Sequence, residues 1–268
     1  MAPLTDARTG GAAASPVLRV EDLTIRYGAY TALESFACTA DAGRILGLIG
    51  PNGAGKSSTF AGMTASVPKA SGRIVLDGQD VSRWHNQRLA RAGLRRTFQQ
   101  NSFFVELDVL ENATSSLVLT REVGLGTSLV APWIEARKRS DTRDQAAALL
   151  ERFGIASRFF GSNPDKLPYG LQRTMSIALA YGEGARALLL DEPAAGVGGE
   201  DLEHLQHVLH DLRDEGVAVV LIEHHMDLLM AVADEVIVLD RGRTIAAGTP
   251  QHVQADPHVL EAYLGTAA

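Results

Sequence analysis

The sequence has a single cysteine, no excess of positive charge and no long apolar run, and each scarcity narrows the possible functions. Cys38 cannot form a disulfide within the chain, which fits a reducing compartment. The net charge of −7 gives no support to a nucleic-acid partner. The longest apolar candidates, VAVVLI and EVIVLD, have the length of strands and fall well short of the ~20 residues that a membrane-spanning helix needs.

The composition that remains is that of an ordinary globular protein. Its 268 residues are enough for one large domain or two small ones, with 46% hydrophobic and 21% charged residues. The first residues, MAPLTDARTGGAAASP, lack the apolar segment of a signal peptide and are rich in Ala, Gly and Pro. We therefore predict a disordered tail over residues 1–16.

Strand-like and helix-like segments alternate along the rest of the chain. Short apolar runs such as RILGLIG and ARALLLDEP suit strands that are buried on both faces of a parallel sheet. Between them, the sequence predicts a helical region over about residues 100–184, in which Asp108 and Glu111 have the spacing of a capping box. In a second helix of that region Ala146, Leu150 and Phe153 share one face. The alternation predicts an α/β fold with a parallel sheet.

The stretch GPNGAGKSS follows the apolar run ILGLI and fits the pattern G-x-x-x-x-G-K-[ST]. Glycines let backbone N–H groups approach phosphate oxygens, and the start of the following helix adds positive charge. The lysine is expected to reach the β- and γ-phosphates and the serine to ligate Mg²⁺. The alternative is a glycine-rich turn with a solvated lysine. The predicted phosphate-binding residues are Gly50, Pro51, Asn52, Gly53, Ala54, Gly55, Lys56, Ser57 and Ser58.

A second predicted strand, ALLLDEP, ends in two acidic residues. Asp191, at the carboxyl end of a parallel strand, could hold Mg²⁺, and Glu192 could polarise the attacking water. An acidic strand end without a catalytic role is the alternative. Together with the phosphate loop, the pair predicts nucleotide hydrolysis.

Three further stretches complete a resemblance that runs from about Val17 to Leu264. They are RTFQQNSFFVELDVLEN, LPYGLQRTMSIALA and VVLIEHHMD. In this order, together with the two motifs above, they resemble an ATP-binding-cassette (ABC) ATPase subunit. The resemblance implies a single domain over residues 17–268, a P-loop NTPase cassette with a parallel RecA-like core, an antiparallel β subdomain and an all-helical insertion.

The resemblance also implies roles for single residues. Tyr27 would stack on adenine, with simple packing as its alternative. Gln99 would sense the γ-phosphate and Mg²⁺, Glu192 would be the general base and His224 would contact the γ-phosphate. Gly170 would belong to the signature helix, which binds ATP held by a second cassette. The implied cofactors are ATP and Mg²⁺.

Finer detail resembles the cassettes of branched-chain amino acid importers, including DEPAAG, LIEHHMDLLM and the ending AAGTPQHVQADPHVLEAYLG. The implied partners are transmembrane permease subunits, a second ABC ATPase subunit and, indirectly, a periplasmic or surface solute-binding protein, with no nucleic acid. A heterodimer of cassettes is favoured over a homodimer. The implied location is cytoplasmic, at the inner face of the membrane. Import of urea or amides, and a regulatory cassette with a degenerate site, remain alternatives.

The chain departs from the family pattern at its signature. The family sequence L-S-G-G-Q corresponds here to residues 167–171, so that Pro168 lacks a hydroxyl and Leu171 lacks an amide. We expect Pro168 to occupy the first helical position and leave the positive helix end intact. Gly198 stands where Asp or Asn is usual. Three histidines of one predicted helix, His204, His207 and His210, form a solvated face or, as the alternative, ligate a metal.

Overall fold

The computed structural model describes residues 16–97, 103–120 and 132–264. In chain order the strands are β1 (Pro16–Tyr27), β2 (Tyr30–Asp41), β3 (Arg44–Ile49), β4 (Ser71–Leu76), β5 (Gln79–Asp80), β6 (Leu94–Arg96), β7 (Ala187–Asp191), β8 (Ala218–Ile222), β9 (Glu235–Asp240) and β10 (Arg243–Gly248). The helices are α1 (Lys56–Met63), α2 (Asn86–Arg91), α3 (Val109–Thr120), α4 (Pro132–Arg152), α5 (Tyr169–Tyr181), α6 (Glu200–Asp214), α7 (Met226–Val232), α8 (Pro250–Gln254) and α9 (Pro257–Leu264). Short 3₁₀ turns lie at Ser157–Phe159 and Pro164–Lys166.

The larger sheet has the strand order β10-β9-β3-β8-β7-β6. All its neighbouring strands are parallel except β10, which pairs with β9 in the antiparallel sense. Every residue of β7 and β8 is buried, as the continuous apolar runs predict for strands covered on both faces. The register aligns Asp191 and Leu48 with Ile222, so that β3, β7 and β8 end at one edge of the sheet.

The smaller sheet is antiparallel, with the order β2-β1-β4-β5. Its buried side chains and Phe60 of α1 share one apolar cluster with Leu46, Leu189 and Val220 of the parallel sheet. Alternate residues of the same strands, such as Ile45 and Leu190, face a second cluster together with the helices. The predicted α/β fold with an antiparallel β subdomain is confirmed, although β2, β5, β6, α2, α8 and α9 were not predicted from the sequence.

The regular elements that the structure describes between β6 and β7 are all helices or 3₁₀ turns. The capping box is confirmed, because the Asp108 N–H donates to Glu111 Oε2 at 3.0 Å and the Glu111 N–H donates to Asp108 Oδ1 at 2.7 Å. Ala146, Leu150 and Phe153 are buried on one face, as predicted. The bounds 17–268 for the domain and 100–184 for the helical subdomain stay predictions.

Pro16, the last residue of the predicted tail, is the first residue of β1, and the rest of that tail lies outside the described residues.

Among the described helices, none combines the length and the apolar character needed to cross a membrane.

Candidate nucleotide-binding site

The predicted phosphate loop connects β3 to α1 and owes its shape to glycine at specific positions. Gly50 and Gly55 have φ values of 150° and 104°. A Cβ at Gly50 would lie 2.0 Å from the carbonyl oxygen of Leu239, and one at Gly55 would lie 2.5 Å from that of Ala32. Gly53, with φ 81°, has no described neighbour within 4 Å of such a Cβ. Two glycines therefore fit the loop against its neighbours, and the third leaves its outer side open to a ligand.

Lys56 lies inside this loop, and only 6% of its surface is exposed. Its Nζ donates to the carbonyl oxygens of Gly50 at 2.7 Å and Pro51 at 3.1 Å. An ammonium group has three N–H donors, and these two bonds orient the group toward the loop interior. Burial lowers the pKa of Lys56, while the nearby carboxylates of Glu192 and Asp191 act in the opposite direction. The loop thus carries a buried cation beside the two predicted acidic site residues.

The turn between β9 and β10 holds the phosphate loop in place. The Gly242 N–H donates to the carbonyl oxygen of Ala54 at 2.9 Å, and the Glu34 N–H donates to that of Gly242 at 2.8 Å. A Cβ at Gly242 would lie 2.8 Å from the carbonyl oxygen of Ala32. Glycine is therefore required at this position.

Asp191 ends β7 and is 3% exposed. Its Oδ2 accepts a hydrogen bond from Arg96 at 2.6 Å, and its backbone N–H donates to Thr97 Oγ1 at 3.0 Å. Its Oδ1 is buried and has no hydrogen-bond partner within the described residues. A buried carboxylate oxygen without a partner is costly, so this atom fits a metal ion or a metal-bound water. The sequence analysis did not single out Arg96.

Glu192 and His224 meet across the ends of β7 and β8. Glu192 Oε1 lies 2.9 Å from His224 Nε2. Glu192 has a left-handed backbone with φ 50°, and its N–H donates to the carbonyl oxygen of Ile222 at 2.9 Å. The structure therefore brings together Lys56, Asp191, Glu192 and His224 at one edge of the sheet. A carboxylate at this edge can accept a proton from water.

Comparison with known proteins decides the family. The ABC transporter family model matches residues 33–195, more than half of the chain. The chain belongs to the ABC transporter ATP-binding family. A second model, described as branched-chain amino acid ATP-binding cassette transporter, matches residues 243–268. The prediction of an ABC ATPase is confirmed.

Curated relatives cover nearly the whole chain. The high-affinity branched-chain amino acid transport ATP-binding proteins BraF of Pseudomonas aeruginosa and LivG of Escherichia coli are each 34% identical to it, over 94% of this chain and 99% of their own. The lipopolysaccharide export system ATP-binding protein LptB of Escherichia coli is 32% identical, over 92% of this chain and 97% of its own.

Solved structures agree with the fold of this ABC chain. A nucleotide-free ATP-binding cassette from an ABC transporter superposes with a TM-score of 0.81 at 26% identity, covering 92% of this chain and 98% of that one. The ADP conformation of MJ1267, an ATP-binding cassette of an ABC transporter, gives a TM-score of 0.81 at 27% identity, covering 93% and 99%. Nucleotide binding is thus supported for the family, while Mg²⁺ stays a prediction.

The signature segment of the ABC chain differs from expectation at Pro168. Helix α5 begins at Tyr169, and Pro168 precedes it with an extended backbone (φ −48°, ψ 143°), so Pro168 is the N-cap and not the first helical residue. Its carbonyl oxygen still accepts from the Gln172 N–H at 3.1 Å. The correction has a chemical consequence, because an N-cap is where a serine hydroxyl would bond to backbone N–H groups, and proline cannot replace it.

Gly170 and Leu171 face the body of the protein. A Cβ at Gly170 would lie 2.5 Å from Oδ2 of Asp201, which stands in the first turn of α6. Leu171 is partly buried and packs on the apolar core. Gly198 is exposed in the loop before α6. Gly170 therefore has a carboxylate beside it that the sequence analysis did not anticipate.

The remaining predicted residues are placed as follows. Tyr27 is 48% exposed at the end of β1, which does not support the packing alternative. Asn52 and Ser57 are exposed, and Ser58 is partly buried. Gln99 lies outside the described residues.

The three histidines of α6 do not form a metal site within the described residues, where no group of three or more potential ligands is found. His204 is partly buried and its Nε2 lies 3.3 Å from the carbonyl oxygen of Phe153. His207 is exposed, while Nδ1 of His210 is buried and has no hydrogen-bond partner in the described part of the chain. The predicted solvated face is therefore only partly correct, because His204 and His210 are half-buried.

Proposed function

We propose that this chain binds and hydrolyses ATP as the ATPase subunit of an ABC importer for branched-chain amino acids. The observation that carries the hydrolytic part is the meeting of Lys56, Asp191, Glu192 and His224 at the carboxyl edge of the parallel sheet. The set combines a buried cation, a carboxylate with one oxygen that has no hydrogen-bond partner among the described residues, and a carboxylate–imidazole pair at 2.9 Å. ATP hydrolysis uses these groups together.

In the proposed reaction the phosphate loop holds the β- and γ-phosphates, and Lys56 neutralises the charge that builds up on them. Glu192 accepts a proton from a water whose oxygen attacks the γ-phosphorus. The bond from that phosphorus to the bridging oxygen breaks, and ADP leaves with the electron pair. His224 orients Glu192 through the contact between its Nε2 and Glu192 Oε1, and its predicted role is to contact the γ-phosphate. Asp191 and Ser57, with Gln99 in its predicted role, would hold Mg²⁺, which supplies further charge neutralisation at the phosphates.

The solute assignment rests on the carboxyl-terminal part of the chain. The branched-chain family model matches residues 243–268, which include β10, α8 and α9. BraF and LivG, whose names state branched-chain amino acid transport, are similar over nearly all of this chain. LptB is similar at a slightly lower identity of 32% and names a lipopolysaccharide export system. The carboxyl-terminal match favours amino acid transport over export.

The proposed partners are transmembrane permease subunits and a second ATPase subunit, with a solute-binding protein acting through the permeases. The proposed location is the cytoplasmic face of the membrane. A heteromeric pair of cassettes is favoured because the hydrolytic groups are complete while the signature is altered at Pro168 and Leu171.

The test is reconstitution of the transporter purified through this chain, with its solute-binding protein, in lipid vesicles. We expect leucine, isoleucine or valine to stimulate ATP hydrolysis and to accumulate in the vesicles. Stimulation by urea or short amides alone would identify the alternative import function. ATP-dependent extraction of lipopolysaccharide, without amino acid uptake, would replace import with export.

A further inference from the structure

Glu223 follows β8 directly and is 2% exposed, and although it lies within the stretch VVLIEHHMD, no role has been given to it above. All its hydrogen-bond partners in the described residues are backbone N–H groups. Burial raises the pKa of this carboxyl, and the amide bonds only partly oppose that effect. Burying a carboxylate whose described hydrogen-bond partners are all uncharged amides costs free energy at the end of a core strand. Its presence calls for a reason other than stability.

The two oxygens of Glu223 bond to two different loops. Oε1 accepts from the Ala194 N–H at 2.7 Å. Oε2 accepts from the His224 N–H at 3.0 Å and from the His225 N–H at 3.2 Å. Ala194 is two residues after Glu192 in the loop that follows β7. A single side chain therefore joins the loop that carries Glu192 to the turn that carries His224.

One of the two loops that Glu223 joins contains the left-handed backbone of Glu192. Glu192 has a left-handed backbone, a conformation that a non-glycine residue keeps only when its surroundings enforce it. The bond from Glu192 N–H to the Ile222 carbonyl oxygen fixes one side of that residue, and the bond from Ala194 N–H to Glu223 fixes the other. The 2.9 Å contact between Glu192 and His224 depends on both loops.

We propose that Glu223 is a positioning residue for ATP hydrolysis. Its carboxylate holds the backbones on either side of the Glu192–His224 pair and so keeps the base aligned with the attacking water. The inference rests on the proposed role of Glu192 in hydrolysis. Glu223 itself is buried and acts through the pair.

The test is Glu223→Gln in the reconstituted transporter. Glutamine keeps the shape but replaces one accepting oxygen with an NH₂ group, which cannot accept from a backbone N–H. One of the two loops is therefore released whichever way the amide turns. We expect kcat to fall by about tenfold or more, because small misplacements of catalytic groups cost up to about a hundredfold, while the Kd for ATP stays within about twofold.

Asp234→Asn is the matched control. Asp234 Oδ2 also accepts a backbone bond, from the Ile45 N–H at 2.8 Å, but at the opposite end of β3 from the phosphate loop. This variant should keep the wild-type kcat, whatever it does to the melting temperature. An equal loss of kcat in both variants would show that Glu223 serves stability alone. A loss of ATP affinity as large as the loss of kcat would also overturn the proposal.

A second experiment combines Glu223→Gln with His224→Ala and measures the release of labelled phosphate in a single turnover. If Glu223 acts by holding the pair together, its effect on the residual rate should shrink to about twofold or less. An undiminished loss overturns the proposal. If Glu223→Gln does not fold, Glu223→Asp replaces it, since the shorter carboxylate cannot span both loops. Wild-type turnover in whichever variant folds also overturns it. Failure of Glu192→Gln to reduce hydrolysis would instead contradict the proposed function.

Discussion

The phosphate loop and the signature segment both place glycine near the start of a helix, but their charges are opposite. Helix α1 begins at Lys56, whose buried ammonium bonds to two carbonyl oxygens of its own loop. Helix α5 begins behind Pro168, which provides no side-chain cap. The carboxylate of Asp201 lies against Gly170. One helix start therefore carries a cation inside its loop, and the other lies beside an anion.

This difference indicates how each helix start can meet a nucleotide. A loop with an enclosed cation can bind phosphate within a single chain. A helix start beside a carboxylate attracts a bare phosphate less than one beside a cation, and it suits phosphates whose charge a lysine and a metal ion already neutralise. In the proposed pair of cassettes, the second cassette supplies that neutralisation.

Glu192→Gln should reduce ATP turnover by about a hundredfold or more, because the proton acceptor is lost while the shape is kept. ATP affinity should remain close to wild type, since the phosphate loop is intact. Phosphate release by the reconstituted transporter measures the first and calorimetry measures the second. Glu151→Gln, on the exposed surface of α4, is the control. Turnover within a few-fold of wild type would remove Glu192 from the role of base.

ATP should protect Cys38 in the isolated chain. Burial raises the pKa of this thiol to about 12, so at pH 8 it is protonated, enclosed and unreactive until the protein unfolds. ATP at a hundred times its Kd stabilises the folded state by about 2.7 kcal/mol and should slow labelling about a hundredfold. Lys56→Ala should reduce this protection to about two- to tenfold at the same ATP concentration, and Pro168→Ser should leave it unchanged. Loss of protection in Pro168→Ser would show that the signature segment binds nucleotide within one chain.

Lys56→Ala should weaken ATP binding by about ten- to a hundredfold, because charge-assisted contacts with phosphate contribute about 1.5–3 kcal/mol. Calorimetry on the isolated chain measures the effect. Lys69→Ala is a matched control, since the Lys69 ammonium also donates to a carbonyl oxygen, that of Ser82, but lies away from the phosphate loop. Equal ATP affinity of Lys56→Ala and wild type would exclude the phosphate role of Lys56.

The altered signature should limit turnover at the second cassette's ATP. In a Glu192→Gln background the remaining hydrolysis comes from that nucleotide, which faces Pro168 and Leu171. Pro168→Ser combined with Leu171→Gln restores a hydroxyl and an amide and should raise the residual rate by up to about tenfold. An unchanged rate would show that these two positions do not limit the second site. A transporter assembled from two copies of this chain would contradict the heteromer itself.

Sequence patterns best predicted the features that depend on residues close together in the chain. The phosphate loop spans consecutive residues, and the Asp108–Glu111 capping box spans one helical turn. Strand β2 was missed because its sequence, YTALESFACTAD, mixes small and polar residues and becomes a strand through pairing with β1. Arg96, whose partner Asp191 is 95 residues away, offered no local signal. Pro168 was placed one position too far into its helix, since the composition there does not mark the exact helix start.

The sequence alone determined the family, the phosphate loop and the identity of the two carboxylates and the histidine, because short motifs specify backbone shape and chemical groups locally. The tertiary structure decided how those groups face one another. The register that pairs Asp191 with Ile222 brings the loop after β7 beside the turn after β8, so that Glu192 reaches His224 and Glu223 bonds to both loops. The tertiary structure also sets Asp201 of α6 against Gly170 of α5. These contacts join segments far apart in the chain, and only the packing of strands and helices fixes their distances.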